Sequence, residues 1–282
     1  MTTTNNPDFD LKKWKEYPEI WTDSLWNIAE RDKSNGHRNV YHGNFVPQIP
    51  KQFIQRYTKE GDIVADIFLG SGTTLIETKR LKRVGIGVEL QPNVVQMAEN
   101  IILNKEENSI FEEENNQKLE DFNQYIVTGD NASLSTNLEV KKITEKYNKK
   151  IKLLLMHPPY WDIIKYSDDK RDSSNAENLE HFKFMMGATV DNYLDLIEEG
   201  GYVVLVISDK YMNSQWVPLA FESMSEILKR PQLILKSTII KNMAGNRAKQ
   251  NQEALWRYRA LAGGYYIFKH EYIFLFKKVK SK

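Results

Sequence analysis

Cysteine is absent from this chain of 282 residues. A disulfide framework, a thiolate nucleophile and a cysteine-ligated zinc site are therefore excluded, and we expect a reducing compartment, the cytoplasm. Long apolar runs are also missing, because the longest, such as 201–207, fall far short of the ~20 residues that cross a bilayer. The N-terminus lacks the apolar region of a signal peptide. We expect no membrane partner.

The charge is unevenly distributed, although the net charge is only +1. Residues 229–282 hold 13 Lys and Arg but two acids, a formal charge of +11, whereas residues 1–228 carry −10. Such a division is typical of a protein that presents one basic face to a polyanion. Nucleic acid is the leading candidate partner, and a solubilising basic tail is the alternative.

The hydrophobic pattern alternates between strand-like and helical segments. This alternation predicts an α/β fold with a doubly wound, mostly parallel sheet that ends in an antiparallel hairpin at its edge. Strands are predicted at 62–67, 84–88, 125–128, 152–156, 202–207, 233–241 and 265–276. Helices are predicted at 73–81, 92–104, 179–199 and 216–229.

Composition also suggests the domain organisation. Residues 1–38 are polar and aromatic by turns and are predicted to form a helical, aromatic extension to a main domain at 39–282. Residues 105–121 are acidic with few apolar side chains and are predicted to be an exposed insertion. The basic link at 242–264 is long for a structureless loop, which indicates a functional role.

The first motif, DIFLGSGTT, runs from Asp66 to Thr74 and joins a predicted strand to a helix. Its glycines let the backbone approach a ligand closely. Glu89 ends the next strand, 19 positions after Gly70, where dinucleotide-binding folds place an acid that binds ribose hydroxyls. The motif lacks a third glycine and a P-loop lysine, so a nucleoside with an uncharged or cationic tail is favoured. An ordinary tight turn is the alternative.

The second motif, HPPY, spans His157, Pro158, Pro159 and Tyr160 and follows a predicted apolar strand. Proline has no N–H, so the carbonyl groups around the two prolines are left to face a ligand. The carboxyl ends of strands are the ligand-binding edge of an open α/β sheet. Tyr160 offers a rigid face on which a base can stack.

The two motifs together resemble those of the DNA amino-methyltransferase family, which uses S-adenosylmethionine to methylate N6 of adenine or N4 of cytosine. FLGSGTT resembles the family's cofactor motif, and HPPY resembles its catalytic (D/N/S)PPY motif. The segment that begins at His42 resembles the part that closes over the methionine end of the cofactor, and VTGD, ending at Asp130, resembles the acidic position near the adenine. HEYIFLFKK resembles the last hairpin strand. The resemblance covers about 39–92, 124–166 and 200–278 and implies a Rossmann-like methyltransferase fold.

The resemblance implies roles for individual residues and no metal. The target base would be flipped out of the duplex and stacked on Tyr160. The carbonyl group of Pro158 and the side chain of His157 would accept its amine hydrogens, and direct in-line displacement would transfer the methyl group. Catalytic roles fall to His157, Pro158, Pro159 and Tyr160. Cofactor contacts fall to His42, Asp66, Phe68, Gly70, Ser71, Gly72, Thr73, Thr74, Glu89 and Asp130.

His157 departs from the family, which has Asp, Asn or Ser at this position. Neutral imidazole can accept a hydrogen bond and imidazolium cannot. We therefore expect activity to fall at low pH as His157 protonates, and a flat profile between about pH 5.5 and 8 would count against this role of His157. The substitution also leaves open a catalytically inactive, methyltransferase-like subunit that binds nucleic acid, and an RNA amino-methyltransferase is a further alternative. The choice between adenine and cytosine stays open.

Double-stranded DNA is the predicted partner. Base edges are read by polar side chains, and phosphates by basic ones. The sequence shows no large separate recognition domain, so a second subunit or a homodimer is a further predicted source of specificity. The predicted DNA contacts are Lys241, Arg247, Lys249, Arg257 and Arg259.

Overall fold

The computed structural model describes residues 8, 11–34, 37, 41, 43–103, 118–243 and 253–280. The strands within these residues are β1 (Leu25–Trp26), β2 (Ile63–Asp66), β3 (Val84–Glu89), β4 (Gln124–Thr128), β5 (Ile151–Met156), β6 (Ile197–Ile207), β7 (Lys210–Met212), β8 (Gln215–Val217), β9 (Leu233–Asn242) and β10 (His270–Lys278). The helices are α1 (Gln48–Tyr57), α2 (Thr73–Arg80), α3 (Pro92–Ile102), α4 (Leu134–Lys146), α5 (Leu179–Leu194), α6 (Leu219–Ile227) and α7 (Glu253–Gly263).

The main sheet has the strand order β1-β9-β10-β6-β5-β2-β3-β4. Strand β10 runs antiparallel to both of its neighbours, and the remaining neighbours in this sheet are parallel. The predicted doubly wound sheet with a final antiparallel pair is therefore confirmed. Strand β1 lies outside β9, so the hairpin does not form the edge of the sheet as predicted.

The core lies on both faces of this sheet. In β5, Leu154 and Met156 belong to the cluster beneath α5 and α6, whereas Leu153 and Leu155 belong to the cluster beneath α1. Successive side chains of a strand point to opposite faces. A strand covered on both faces needs an uninterrupted apolar run, which the sequence of β5 supplies.

The N-terminal residues contribute to the main sheet. Leu25 pairs with Ile240 in parallel register, and Trp26 is buried. The Trp26 ring lies 5.0 Å from that of Trp21 and 5.6 Å from that of Phe53 on α1. These contacts attach the segment that was predicted to be an extension to the sheet and to α1.

The predicted loop at 242–264 contains helix α7, and the strand predicted from residue 265 begins at His270. The sequence EALWRYRALAG is rich in Ala, Leu and Arg, which favour helix. The prediction weighed only the charge and the flanking glycines of this segment. Residues 244–252 lie outside the described residues, as does most of the predicted acidic insertion.

The parallel strands end at one edge of the sheet, where β2 and β5 are neighbours. The strand order reverses here, because β3 and β4 lie beyond β2 while β6 lies beyond β5. Such a switch point leaves a crevice at the carboxyl ends of the strands. Both sequence motifs follow these two strands directly. Among the described residues, no helix is both long enough and apolar enough to span a membrane.

Candidate active site

A cleft of about 1000 Å³ opens at the carboxyl ends of β2, β3, β5 and β6. Both motifs contribute to its wall. Residues from the first half of the chain include Phe68, Gly70, Thr73, Glu89 and Asp130, and the second motif contributes His157, Pro158, Pro159 and Tyr160. The structure thus brings together two motifs that are more than 80 residues apart in the sequence.

The glycines of the first motif are required by the backbone. Gly70 has φ +55° and Gly72 has φ +90°, in the left-handed region that favours glycine. A Cβ atom on Gly72 would lie 2.8 Å from Cδ1 of Ile102. Gly72 also precedes the first residue of α2, so the chain turns sharply from β2 into that helix.

Glu89 holds this turn from the neighbouring strand. Its Oε2 accepts the N–H of Gly70 at 3.0 Å, and its Oε1 accepts the N–H of Gln91 at 3.0 Å. Burial raises the pKa of the Glu89 carboxyl, while these backbone N–H groups act in the opposite direction. The carboxylate lies in the cleft wall, where each oxygen has a further lone pair for a ligand.

Four residues predicted to contact the cofactor lie behind the wall. Asp66 is 1% exposed and accepts hydrogen bonds from the N–H of Phe68 at 3.1 Å and from the hydroxyl of Thr74 at 2.5 Å. Burial raises the pKa of Asp66 to about 6. The Ser71 hydroxyl accepts from Nδ2 of Asn44 at 2.6 Å. These hydrogen bonds fix the shape of the loop. The four residues that lie behind the wall are Asp66, Ser71, Gly72 and Thr74.

The remaining predicted cofactor residues occupy different places. Asp130 lies in the wall after β4, and its Oδ1 accepts the N–H of Ala132 at 2.9 Å. The adjacent Asn131 donates from Nδ2 to the carbonyl group of Ile67, which ties this turn to the first motif. His42 lies outside the described residues.

The second motif ends in a chain of hydrogen bonds. The Tyr160 hydroxyl donates to Oε2 of Glu271 at 2.8 Å, and Nε2 of His157 lies 3.0 Å from the same hydroxyl. On the far side, Nζ of Lys241 lies 2.7 Å from Oε1 of Glu271. Lys241 and Glu271 face each other across the β9–β10 ladder. Strand β10, which follows the basic segment of the chain, therefore contacts the second motif.

Glu271 was not predicted as a site residue from the sequence, and Lys241 was predicted to contact DNA. The structure places Lys241 at 7% exposure in an ion pair, which contradicts a role as an exposed phosphate contact. One signal was available: Lys241 and Glu271 are opposite charges at the facing ends of two strands that were predicted to form a hairpin. Opposite charges at facing positions of an antiparallel pair stabilise each other.

Comparison with known proteins shows similarity to DNA methyltransferases. The model of a DNA methylase family, of the N6/N4 methyltransferase type, matches residues 3–100. The match covers about a third of the chain, which is similar to this family over that part. The Type II methyltransferase M.MjaII of Methanocaldococcus jannaschii is 31% identical over 149 residues, which cover 49% of this chain and 27% of that protein. M2.DpnII of Streptococcus pneumoniae is 32% identical over 93 residues, 32% of this chain and 31% of that protein.

The aligned part thus spans less than a third of these two curated relatives. Among solved structures, the [4+2]-cyclase SpnF is similar to this chain in fold. Its TM-score is 0.50, with 10% sequence identity, and the match covers 83% of this chain and 82% of that one. At this identity the likeness concerns the Rossmann-like fold alone.

The cofactor of the DNA methylase family is S-adenosylmethionine, and the cleft has groups that suit it. Glu89 can accept from ribose hydroxyls, and Asp130 can accept from an amine. Arg31 also lies in the wall and donates from Nη1 to the carbonyl group of Phe45 at 2.8 Å. Its Nε and Nη2 have no hydrogen-bond partner among the described residues, and burial lowers its pKa. An unpaired buried guanidinium favours a carboxylate ligand.

The pKa of His157 is lowered to about 4, chiefly by burial; the charge of Glu271 acts in the opposite direction, and that of Lys241 in the same direction as burial. The imidazole is therefore neutral throughout the range from about pH 5.5 to 8. At this pKa the imidazole takes up a proton near pH 4, below the range from about pH 5.5 to 8, because its ring is buried; the fall of activity at low pH stays a prediction. The acceptor that the DNA methylase family has in Asp, Asn or Ser remains available here at neutral pH.

The stability of the protein should depend on pH through His157. An unfolded histidine takes up a proton below about pH 6.5, whereas the folded His157 does so only near pH 4. The unfolded state thus binds more protons in this interval, and the free energy of unfolding should fall by roughly 2–3 kcal/mol as pH decreases from about 7 to 4. We expect His157→Asn to lack this component. Urea unfolding of the unaltered protein and of His157→Asn across this pH interval measures the difference. The same pH dependence of the unfolding free energy in both proteins would contradict the effect of burial on His157.

Aromatic residues form the outer wall of the cleft beside the catalytic motif. The rings of Tyr211 and Tyr265 stack at 3.9 Å, and the ring of Phe45 lies 4.9 Å from that of His157. Phe268 and Trp256, the latter on α7, also line the cleft. Such a wall suits a flat, partly apolar ligand.

The predicted DNA-contact residues separate into three groups. Lys241 is buried, as described above. Arg257 and Arg259 are exposed on α7, together with Tyr258, which is 69% exposed. Arg247 and Lys249 lie outside the described residues. Helix α7 therefore presents a basic and aromatic surface next to the mouth of the cleft.

Proposed function

We propose that this chain is a site-specific DNA methyltransferase that transfers the methyl group of S-adenosylmethionine to the exocyclic amine of a flipped base, adenine N6 or cytosine N4. The observation that carries the proposal is the junction of FLGSG and HPPY at the ends of neighbouring strands in one cleft. A nucleoside site and a stacking site share that cleft, which a transfer between a nucleoside cofactor and a base requires.

The cofactor half of the cleft is formed by the first motif. Glu89 would accept the ribose hydroxyls, and Asp130 would accept from the amine of the adenine. Arg31 would bind the carboxylate of the methionine part with its unpaired guanidinium. Gly70 and Phe68 would lie against the nucleoside, and S-adenosylmethionine would supply an electrophilic sulfonium methyl group.

The base half is formed by the second motif and the aromatic wall. Tyr160 would stack on the flipped base, while the carbonyl group of Pro158 and the side chain of His157 would accept the two amine hydrogens. These bonds favour a pyramidal nitrogen whose lone pair has left conjugation with the ring. That lone pair would take the methyl group that bound S-adenosylmethionine supplies, and the electron pair of the C–S bond would stay with the departing sulfur. The nitrogen then releases one proton to water.

DNA contact is assigned to α7 and its exposed arginines. Arg257 and Arg259 stand beside the cleft mouth, where phosphates on either side of a flipped nucleotide would pass. We include a second subunit or a second copy of this chain in the proposal as a further source of sequence specificity.

Removing the two arginines should weaken DNA binding without affecting the cofactor. Each lost phosphate contact reduces the slope of log affinity against log salt by about 1, so Arg257→Ala/Arg259→Ala should reduce it by about 2. Lys141→Ala/Lys142→Ala, on α4, removes the same charge outside the cleft wall and is the matched control. Fluorescence anisotropy of a labelled duplex over a salt series measures both slopes. Equal slopes of log affinity against log salt for the two variants would show that Arg257 and Arg259 of α7 do not contact DNA.

The function itself is tested by product analysis. The purified protein is incubated with duplex DNA and S-adenosylmethionine, and the DNA is digested to nucleosides for mass spectrometry. N6-methyladenine or N4-methylcytosine would establish the reaction and identify the base. A methylated product only in a parallel incubation with RNA would favour an RNA amino-methyltransferase, and failure to bind the cofactor would favour an inactive subunit.

A further inference from the structure

The buried ion pair of Lys241 and Glu271 determines which partner in the adjacent hydrogen bond donates. The two side chains are 7% and 6% exposed and are joined at 2.7 Å. Burial raises the pKa of Glu271, but Lys241 and the hydrogen bond from the Tyr160 hydroxyl bring it below its ordinary value. Glu271 is therefore ionised at neutral pH, and an ionised carboxylate can only accept hydrogen bonds.

The direction of the next two hydrogen bonds follows from this. Oε2 of Glu271 accepts from the Tyr160 hydroxyl, which has a single proton to donate. Burial and Glu271 raise the pKa of Tyr160 well above its ordinary value, so the hydroxyl keeps that proton. Toward His157 the hydroxyl oxygen can then only accept, and Nε2 of His157 must carry the proton in their 3.0 Å bond.

We propose that the relay of Lys241, Glu271 and Tyr160 fixes His157 as the Nε2–H tautomer and so makes its Nδ1 the acceptor for the target amine. A neutral imidazole with a proton on Nε2 has its lone pair on Nδ1. No hydrogen bond to Nδ1 of His157 exists among the described residues, and His157 lines the cleft. Glu271 and Lys241 are thus positioning residues, and the part of this inference that concerns the amine rests on the proposed function.

The relay accounts for a histidine at a position where the family has Asp, Asn or Ser. Those side chains offer an oxygen acceptor without a choice of tautomer, whereas an unconstrained imidazole divides its proton between two nitrogens. The Nδ1–H tautomer would present a donor to the target amine and repel it. Glu271, acting through Tyr160, selects the Nε2–H tautomer and so removes the inactive Nδ1–H fraction.

The tautomer can be measured without DNA or cofactor. Protein labelled with ¹⁵N-histidine is examined at about pH 7 by long-range ¹H–¹⁵N correlation, in which protonated and unprotonated ring nitrogens of neutral imidazole have separate shifts. The His157 signals are identified by their loss in His157→Asn. We expect a protonated Nε2 and an unprotonated Nδ1. A protonated Nδ1, or an imidazolium, in the unaltered protein would overturn the inference.

Two variants test the relay. Tyr160→Phe keeps the ring but removes the hydroxyl, and Glu271→Gln lets an amide donate to Tyr160 and reverse the bonds. In both we expect the single Nε2–H state of His157 to be replaced by a mixture of tautomers. Glu271→Gln/Lys241→Met, which leaves no buried cation unpaired, should show the same mixture. Retention of the original ring-nitrogen shifts in all three variants would contradict a role for the relay.

The matched control is Tyr272→Phe. Tyr272 lies on the same strand as Glu271, and its hydroxyl lies 3.1 Å from Nε2 of His270, outside the cleft wall. This variant should leave the His157 shifts unchanged.

Kinetics give a second readout. We expect kcat in Tyr160→Phe and Glu271→Gln to fall in proportion to the fraction of Nδ1–H tautomer, about twofold for an even mixture, with cofactor affinity unchanged. An unchanged kcat in both variants would contradict the role of the tautomer in transfer. The expected spectrum together with an absence of methylated product in the unaltered protein would uphold the tautomer and contradict the proposed function.

Discussion

Replacing His157 by phenylalanine is expected to lower kcat for methyl transfer about 10²- to 10³-fold, the range seen when one group that stabilises a transition state is deleted. Phenylalanine keeps a flat ring against Phe45 but has no acceptor for the target amine. Because His157 lies with the base half of the cleft, binding of S-adenosylmethionine should be unaffected. Single-turnover transfer from labelled S-adenosylmethionine to duplex DNA measures the loss.

His157→Asn is the matched variant for this prediction. Its side-chain carbonyl restores an acceptor of the kind that the family has at this position, so we expect most of the activity to remain. Comparing the two variants separates the contribution of the hydrogen-bond acceptor to activity from that of the aromatic ring. If the asparagine and phenylalanine variants lose activity equally, the imidazole acts in some way other than as a hydrogen-bond acceptor.

Glu89→Ala is expected to weaken binding of S-adenosylmethionine by about 100-fold or more. The substitution removes a charged acceptor from the ribose site, and hydrogen bonds to charged groups contribute about 1.5–3 kcal/mol each. It also leaves the N–H groups of Gly70 and Gln91 without their acceptor, which loosens the turn that faces the nucleoside. Isothermal titration calorimetry with S-adenosylmethionine measures the change in Kd.

Glu89→Gln separates the two contributions. The glutamine retains one side-chain oxygen that can hold one of the two N–H groups, but it has no negative charge. We expect a loss smaller than that of Glu89→Ala, together with a melting temperature closer to that of the unaltered protein. Binding in Glu89→Ala at the original affinity would exclude Glu89 from the cofactor site.

The sequence was sufficient to predict the sheet and the two motifs, because their signals are local. Uninterrupted apolar runs predict buried parallel strands. The residues that follow parallel strands lie at one edge of the sheet, independently of the structure of the connecting segments. Gly70, Glu89, His157 and Tyr160 were found in this way. Their presence in one cleft wall follows from the pairing of β2 with β5 and with β3.

Long-range pairing and burial could not be predicted from local patterns. The ion pair of Lys241 and Glu271 depends on the register of β9 against β10, since a shift by one residue would turn either side chain to the other face. The low pKa of His157 depends on what covers its ring. Helix α7 was overlooked because its composition was interpreted through its charge alone, and β1 is too short to produce an alternating pattern.

The hairpin of β9 and β10 is closed at its base by the hydrogen bond from the N–H of Met243 to the carbonyl group of Lys269, at 2.8 Å. The chain between Met243 and Lys269, which includes α7, therefore leaves the sheet and returns to it at the same place. Doubling the length of such a closed segment costs only about 0.6 kcal/mol in loop entropy. The length of the segment can therefore vary at little cost to stability. The segment also supplies Trp256, Tyr265 and Phe268 to the cleft wall, so its exchange would reshape the space beside Tyr160 while the pairing of Lys241 with Glu271 across β9 and β10 is kept.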